Sequence, residues 1–153
     1  MIKGRDIIIV GIQPWDIAIG SNCKNIATEF AKDNRVLYVN PPLDRITRYK
    51  QKHKESIQKR IKISKGQQSD IEIIDENLWN LYPKTLIESI NWVPNHQLYN
   101  ILNKHNTKRF ANDIKKAVSR LGFKDVLLFN DSSMFLGLHL KDYLKPELYT
   151  YYV

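Results

Sequence analysis

Four short apolar runs constrain the fold of this chain more than any other feature of its sequence. They are rich in valine, isoleucine, leucine and tyrosine, and turn-forming residues bound them. Their apolar residues follow one another without polar alternation, which is typical of strands buried on both faces of a sheet. The four runs occupy residues 7–11, 36–39, 126–129 and 148–153. A fifth segment, 71–74 continuing through 78–82, is interrupted by polar residues and predicts either one bent strand or a strand followed by a turn.

Helical patterns separate these runs. Ser21 or Asn22 can cap a first helix, whose apolar residues at positions 26, 27, 30 and 31 share one face. Before the third run, apolar residues recur at intervals of three and four over residues 110–121, and Gly122 stands where a helix ends in a left-handed residue. A further helix can start at Ser132 or Ser133 and end before Pro146.

Strands that alternate with helices require right-handed crossovers and a parallel sheet. The sequence therefore predicts an α/β fold, a Rossmann-like parallel sheet flanked by helices. The 153 residues, 42% of them apolar, suffice for a single domain over 1–153. Because the run 148–153 reads as a buried strand with nothing after it, we expect the chain to be the N-terminal half of a longer protein.

Ligands of open parallel sheets bind beyond the carboxyl ends of the strands, which points to the loops 11–22 and 130–133. Gly11 and Gly20 lack the spacing of a dinucleotide-binding turn, and no Gly-Lys-Ser/Thr of a phosphate loop is present, so NAD or P-loop ATP binding is not expected here. The first loop is longer than usual for such connections, which hints at a function. Trp15 offers a flat face for stacking on a ligand, and Asp16 could accept a hydroxyl proton as a catalytic base.

Structural interpretations of the same residues stay open. Trp15 is as readily a lid over the core as a ligand platform, and Asp16 is more often a turn-former than a base. Asp131 follows a strand directly, which favours a function, yet Asn-Asp-Ser-Ser is also ordinary helix-capping chemistry. The four histidines show no metal-ligand spacing, so no metal site is expected. Cys23 is the only cysteine, which excludes an intrachain disulfide and fits a reducing compartment.

Positive charge is concentrated in residues 45–65. The chain has 24 basic and 16 acidic residues, and this segment alone holds nine of the basic ones and a single acid, Glu55. Apolar residues recur in it at three- and four-residue intervals, which predicts one basic amphipathic helix. Such a helix can lie on an anionic membrane surface. The residues assigned to that contact are Arg45, Arg48, Lys52, Lys59 and Arg60.

Two other interpretations of the basic segment remain. It could be a solvated or disordered loop whose isoleucines cover the sheet. Nucleic acid is a weaker option and is not the expected partner, because Tyr49 is the only aromatic residue among the basic ones and no motif that reads DNA or RNA accompanies them. The chain has no apolar stretch near the about 20 residues of a membrane span, so we expect a cytoplasmic protein that is at most peripheral on the inner face of the membrane.

Several stretches resemble a known family. The segment 10–16, with Pro14-Trp15-Asp16, the Gly-Ser-Asn at 20–22 and the segment 35–42, with Val-Asn-Pro-Pro at its end, are similar to the start of bacterial family-4-like glycosyltransferases of the GT-B fold. This family includes enzymes of teichuronic acid and capsular polysaccharide synthesis. The segments 120–123, 127–130 and 151–153 also look like that family, so the resemblance covers most of the chain.

The resemblance implies a hexosyltransferase-like enzyme with two Rossmann-like domains, of which this chain would be the acceptor-side N-terminal one. It implies no metal and no cofactor in this domain, with the nucleotide-sugar donor in a C-terminal domain, so that this half alone should be inactive. The acceptor would be a surface polysaccharide or a lipid-linked glycan. Acceptor-binding residues would be Trp15, Ser21, Asn22, Asn130 and Asp131, with Asp16 as the candidate base. The alternative is a non-catalytic Rossmann-like binding or regulatory domain whose basic segment contacts an acidic partner.

Overall fold

The computed structural model describes residues 2–17 and 20–152. Ala18 and Ile19 of the first loop and Val153 of the last apolar run therefore lie outside the described residues. The strands are β1 (Asp6–Val10), β2 (Arg35–Val39), β3 (Leu43–Asp44), β4 (Ile71–Asp75), β5 (Leu78–Leu81), β6 (Leu86–Ile87), β7 (Leu127–Asp131) and β8 (Leu148–Tyr152). The helices are α1 (Asn22–Ala31), α2 (Arg45–Lys50), α3 (Glu55–Ser64), α4 (His96–Leu121), α5 (Met134–Gly137) and α6 (Leu140–Leu144).

Six strands form one sheet in the order β4-β5-β2-β1-β7-β8, and β3 pairs with β6 in a separate two-stranded sheet. All neighbours in the large sheet are parallel except β4 and β5. The α/β, Rossmann-like parallel sheet flanked by helices is thus confirmed. The four apolar runs correspond to β2, β1, β7 and β8, which lie side by side in the sheet. The prediction that all four are buried on both faces is wrong for β8, where Leu148, Tyr151 and Tyr152 are 52%, 40% and 42% exposed. β8 is the edge strand of the sheet and has a neighbouring strand on one side only.

The interrupted fifth segment forms an antiparallel hairpin. β4 pairs with β5 through Ile71↔Leu81 and Ile73↔Trp79, and the polar residues between them make the turn. The interpretation of a strand followed by a turn is therefore the correct one. Hairpin pairing places β4 at the edge of the sheet, where Ile73 is 77% exposed.

The core has one layer on each face of the sheet. Helix α4 covers the first face, where Phe110, Ile114 and Ala117 pack against side chains of β1, β2, β5 and β7. Helix α1 covers the second face with Cys23 and Ala27. Residues that alternate along each strand supply the two layers, as the pleat requires.

Helix α4 is longer than the sequence indicates. The predicted apolar pattern begins at Phe110, whereas the helix begins at His96 and ends, as predicted, at Gly122 with φ 64°. Its first half carries buried amides in place of apolar residues. Asn103 Nδ2 donates to Phe135 O at 2.8 Å, and Asn106 Nδ2 donates to Glu88 O at 2.9 Å. Because the buried side chains here are hydrogen-bonded asparagines, this part of the helix shows no apolar periodicity in the sequence.

The single basic helix predicted over 45–65 is wrong, because residues 51–54 interrupt it. Asp44 caps α2 by accepting a hydrogen bond from Thr47 N at 2.9 Å, and Gln51 ends it. In α3, Ile57 and Ile63 are buried, whereas Ile46 of α2 is 45% exposed. Helix α2 bonds to Glu88 and Ser89, whereas Lys59 of α3 bonds to Glu72 and Tyr82, so the two helices contact different parts of the protein. Likewise, the single helix expected after Asn130 is divided into α5 and α6.

Candidate functional site

The two loops that the sequence singles out leave the same edge of the sheet. β1 lies between β2 and β7, and all three strands run in the same direction, so the loops after Val10 and Asp131 begin side by side. Gly11 N donates to Val39 O at 3.1 Å, which keeps the start of the first loop close to β2. A methyl group on Gly11 would lie 2.0 Å from the Tyr38 hydroxyl oxygen. Only glycine lets the chain pass this close above Tyr38.

Two buried asparagines hold the Trp15 turn in place. Trp15 N donates to Asn40 Oδ1 at 2.6 Å, and Asn40 Nδ2 donates to Asn80 Oδ1 at 2.6 Å and to Leu81 O at 2.8 Å. Both asparagines are fully buried. In the sequence, the one sign of this support is a polar residue, Asn40, directly after a buried strand.

Trp15 covers the core with part of its ring. Its indole meets Tyr38 in a T-shaped contact with ring centroids 4.9 Å apart, and it packs against the cluster under α1. Lys24 Nζ donates to Ile17 O at 2.6 Å and lies 5.8 Å from the centroid of the Trp15 ring. Because Trp15 is only half-buried, the part of its ring that does not pack is at the surface.

Asp16 is exposed beside a half-buried charged cluster. Burial lowers the pKa of Arg60, and the negative charge of Asp16 opposes that shift. Arg60 Nη1 donates to Pro41 O at 3.1 Å, while its buried Nη2 has no hydrogen-bond partner among the described residues. A buried donor without a partner is costly, so it marks a place where a ligand or a water molecule would be bound favourably.

Lys59 and Tyr82 complete this cluster. Lys59 Nζ lies 2.6 Å from Glu72 Oε1 and donates to the Tyr82 hydroxyl at 3.2 Å. Burial raises the pKa of Tyr82; the hydrogen bond from Lys59 opposes the shift and the charge of Asp16 adds to it. Lys59 and Arg60 therefore turn toward the sheet, and not outward with the rest of the basic segment. A cleft of about 480 Å³ opens beside them, lined by Asp16, Glu55, Ser56, Gln58, Lys59, Lys62 and Gln68.

A second group under the Trp15 turn is inert. Burial and the adjacent charge of Asp131 raise the pKa of the Cys23 thiol to about 12. Burial also raises the pKa of Tyr38, whose hydroxyl donates to Gln13 O at 2.7 Å. The thiol is neutral at pH 7 and cannot act as a nucleophile.

The other predicted acceptor residues reach the same edge in different states. Ser21 caps α1, where its Oγ accepts a hydrogen bond from Lys24 N at 3.2 Å, and Asn22 is exposed in the first turn of that helix. Asn130 is fully buried and donates to Ser133 O at 3.3 Å and to the Tyr149 hydroxyl at 3.1 Å. It shapes its loop and does not face the opening, whereas Asp131 is half-buried beside Cys23.

The remaining residues assigned to a membrane surface lie on or next to α2. Arg45 Nε donates to Glu88 Oε1 at 2.8 Å, and Arg48 and Lys52 line a groove with Tyr49. Tyr49 is 77% exposed. Within residues 2–17 and 20–152, no helix is long and apolar enough to cross a membrane. The same residues contain no group of three or more His, Cys, Asp or Glu placed to hold a metal ion.

Comparisons with known proteins add a fold likeness. No protein-family model matches the chain, and no curated protein matches it by sequence. Among solved structures it is similar to a sucrose-phosphate synthase from Thermosynechococcus elongatus, with 12% sequence identity and a TM-score of 0.48. The match covers 97% of this chain but spans only 64% of that one. A likeness of this size concerns the fold and carries no conclusion about activity or substrates.

Proposed function

We propose that this chain is the acceptor-binding domain of a glycosyltransferase of the GT-B type, which transfers a sugar to a surface polysaccharide or a lipid-linked glycan. The observation that carries the proposal is the placement of Asp16, next to Trp15 in the chain, near Arg60, whose Nη2 has no hydrogen-bond partner among the described residues. The loop that holds Trp15 and Asp16 leaves the carboxyl edge of a parallel sheet. Ligands of such sheets bind at that edge. An aromatic face, a carboxylate and a guanidinium are groups that recognise a sugar through its apolar face and its hydroxyls.

In this proposal the exposed Asp16 carboxylate accepts a hydrogen bond from an acceptor hydroxyl and is the candidate base for it. Arg60 donates from Nη2 to another oxygen of the same sugar, and the free part of the Trp15 ring stacks on it. Ser21 and Asn22 lie at the rim of the same edge, with Asp131 further along it. The nucleotide-sugar donor would bind outside this domain, so no transfer is expected from this chain alone.

The test is a screen of the chain against an array of neutral and acidic bacterial oligosaccharides, followed by titration calorimetry on the best ligand. Asp16→Asn and Trp15→Ala are each expected to weaken binding at least tenfold, because each removes one direct contact. Asp75→Asn is the matched control for charge. Asp75 pairs with Leu78 at the start of β5, so it lies at the amino ends of the parallel strands, opposite to the candidate site. Trp92→Ala is the control for the loss of a tryptophan, as Trp92 is 73% exposed elsewhere.

Binding of no saccharide on the array would contradict this function and favour a non-catalytic binding domain. Binding that Asp16→Asn and Asp75→Asn weaken equally would also contradict it, because the site would then lie elsewhere. Circular dichroism of each variant shows whether the fold is retained.

We further propose that α2 lets the domain rest on an anionic membrane, where a lipid-linked acceptor would be found. Ile46 and Tyr49 are exposed on α2 among basic residues, and Trp92 is exposed nearby. Ser89 connects Trp92 to α2, because its carbonyl accepts a hydrogen bond from Trp92 Nε1 and its hydroxyl donates one to Asp44, the N-cap of α2. Exposed apolar side chains flanked by lysine and arginine suit the boundary between headgroups and acyl chains.

Sedimentation with vesicles tests this docking. The chain is expected to bind vesicles of phosphatidylcholine with phosphatidylglycerol and to leave pure phosphatidylcholine unbound. Ile46→Ser should weaken that binding several-fold, since one apolar side chain no longer enters the interface. Ile73→Ser, which removes an exposed isoleucine from the edge strand β4, should have no effect. Equal sedimentation with both kinds of vesicle, or equal effects of the two variants, would refute the proposal.

A further inference from the structure

A second concave surface lies on the face of the sheet that α4 covers. It measures about 860 Å³, and among the described residues it shares no lining residue with the cleft beside Asp16. Helix α2, the end of α3, the segments before β4 and β6, and the second half of α4 enclose it. We call it the basic pocket; its lining residues are Arg45, Arg48, Ser64, Lys65, Asp70, Lys84, Thr85, Leu86, Arg109, Asp113, Lys116, Ser119 and Arg120.

The fold brings together charged side chains here that are far apart in the sequence. The lining holds seven basic and two acidic side chains, which leaves five positive charges in excess. Three of the basic residues belong to the segment 45–65, and the other four come from elements outside it. On α4, Arg109, Asp113, Lys116 and Arg120 are spaced by four, three and four residues, so they form one stripe along the helix.

The two acids of the basic pocket are already engaged. Asp70 accepts hydrogen bonds from Arg120 Nη1 at 2.9 Å and Nη2 at 2.7 Å, and Lys84 Nζ lies 3.8 Å from it. Burial alone would raise the pKa of Asp70, but the hydrogen bonds and charges of these partners hold it below the ordinary value. Asp113 Oδ2 accepts a hydrogen bond from Thr85 N at 2.7 Å. The two acids thus hold the walls of the pocket together, and with seven basic side chains against two acids the lining keeps a positive excess.

Three of the cations have no carboxylate partner among the described residues. Arg48, Lys65 and Lys116 make no salt bridge there, whereas Arg45 and Arg109 share Glu88 at 2.8 Å and 3.7 Å. The three unpaired cations come from three different segments and line one cavity. Like charges that are held together repel, so binding a multiply charged anion would relieve this repulsion.

The chemistry of the lining selects among anions. Among the described residues that line it, Leu86 is the single apolar one and none is aromatic, so the basic pocket offers no platform for nucleic-acid bases. A carboxylate ligand carries one negative charge, whereas the lining has an excess of five positive charges. A phosphate group carries up to two charges and accepts the forked hydrogen bonds of arginine, which suits this lining better.

We propose that the basic pocket binds a phosphate group, with Arg48, Lys65 and Lys116 as its direct ligands. The phosphate group would come either from a soluble phosphate compound or from the headgroup of a membrane lipid such as phosphatidic acid. Both sources share the same charged oxygens, and the volume of the pocket leaves room for an organic body beyond the phosphate.

Two parallel measurements test the proposal and separate the sources. Isothermal titration of the chain with inorganic phosphate and with pyrophosphate, in a low-salt chloride buffer, reports the soluble source. Sedimentation with phosphatidic acid vesicles, against phosphatidylglycerol vesicles of equal surface charge, reports the lipid headgroup. A preference in the second experiment cannot come from general attraction to an anionic surface, because both vesicles provide that attraction equally.

Lys116→Gln and Arg48→Gln are the informative variants, since neither removes a salt bridge of the described residues. Each is expected to weaken binding about tenfold, as one charged hydrogen bond is lost. Lys115→Gln is the matched control, because Lys115 precedes Lys116 on α4, is exposed and does not line the pocket.

Binding of phosphate or pyrophosphate that Lys116→Gln weakens and Lys115→Gln leaves unchanged supports a soluble ligand. A preference for phosphatidic acid with the same dependence on Lys116 supports a lipid headgroup. The proposal is overturned if the chain binds neither phosphate nor pyrophosphate and shows no preference for phosphatidic acid. Equal loss in Lys115→Gln and Lys116→Gln overturns it as well, because net charge and not the pocket would then account for binding.

Discussion

At the carboxyl edge of the sheet, burial is the main cause of the shifted pKa values of single residues. The Cys23 thiol lies under the Trp15 turn, 2% exposed, and its pKa is raised by burial and by the charge of Asp131. A buried thiol of this kind serves as a small apolar side chain. Arg60 shows the opposite case, since burial lowers its pKa while its buried Nη2 has no hydrogen-bond partner among the described residues.

The raised pKa of Cys23 predicts how stability depends on pH at the alkaline side. The folded value of about 12 lies above the ordinary value of 9.0, so the unfolded chain loses its thiol proton first. The free energy of unfolding should therefore be unaffected by this group below pH 9 and should fall as the pH rises from 9 toward 12. Urea unfolding at a series of pH values measures this decline.

Cys23→Ala is expected to flatten that decline, although Tyr38, whose pKa is also raised by burial, will leave part of it. Alkylation with iodoacetamide at pH 8 gives an independent check. The native thiol should react far more slowly than the thiol of the urea-unfolded chain. Equal rates in the two states would show that Cys23 is neither buried nor shifted.

At the scale of elements, the position of the candidate site depends on how strand β1 ends. Gly11 continues the strand over Tyr38, which is fully buried and whose hydroxyl is bonded to Gln13 O. The first loop must therefore leave the sheet over a side chain that has no space to move. Strand β2 contributes in the same way through Asn40, which fixes the Trp15 turn.

Gly11→Ala is expected to destabilise the protein by about 1–3 kcal/mol, because its methyl group would overlap the Tyr38 ring and displace it. Added atoms would lie 2.0 Å from the Tyr38 oxygen and 2.5 Å from Cζ. Gly20→Ala is the control in the same loop, since nothing lies within 4 Å of a methyl group there. It should change the free energy of unfolding by no more than about 0.5 kcal/mol in the same denaturation experiment. Equal effects of the two substitutions would contradict the close approach at Gly11.

The helices show why apolar periodicity predicts some elements of the fold and misses others. Residues 110–121 pack an apolar face on the sheet, so the second half of α4 was predictable. Its first half buries Asn103 and Asn106 through hydrogen bonds to the backbone of distant segments, which no local pattern reveals. The basic segment misled the prediction for a related reason. Its three- and four-residue spacing continues through 51–54, but the two helices on either side pack against different parts of the protein.

At the scale of the whole molecule, charge is distributed by tertiary structure. The sequence concentrates its excess of positive charge in 45–65, yet Lys59 pairs with Glu72 and Arg60 lies near Asp16. Helix α4 and the segment before β6 then bring four further basic residues to the other basic side chains in the pocket. Neither arrangement follows from counting charges along the chain.

The sequence predicted a candidate site at the carboxyl edge of the sheet. Trp15, Asp16, Ser21, Asn22 and Asp131 do reach that edge, and their part in acceptor binding stays a prediction. Buried supports such as Asn40 and Asn80, and the cluster around Arg60, were missed because their partners lie 25 or more residues away or on another element.

The sequence by itself determined the α/β class and four of the parallel strands, because runs of apolar residues and the rules of parallel connections are local in origin. Tertiary structure alone decided which polar side chains are buried, where the basic segment breaks and which cations share a pocket. These depend on contacts between residues far apart in the chain, such as Asp70 with Arg120, and no local pattern of residue types records such a contact.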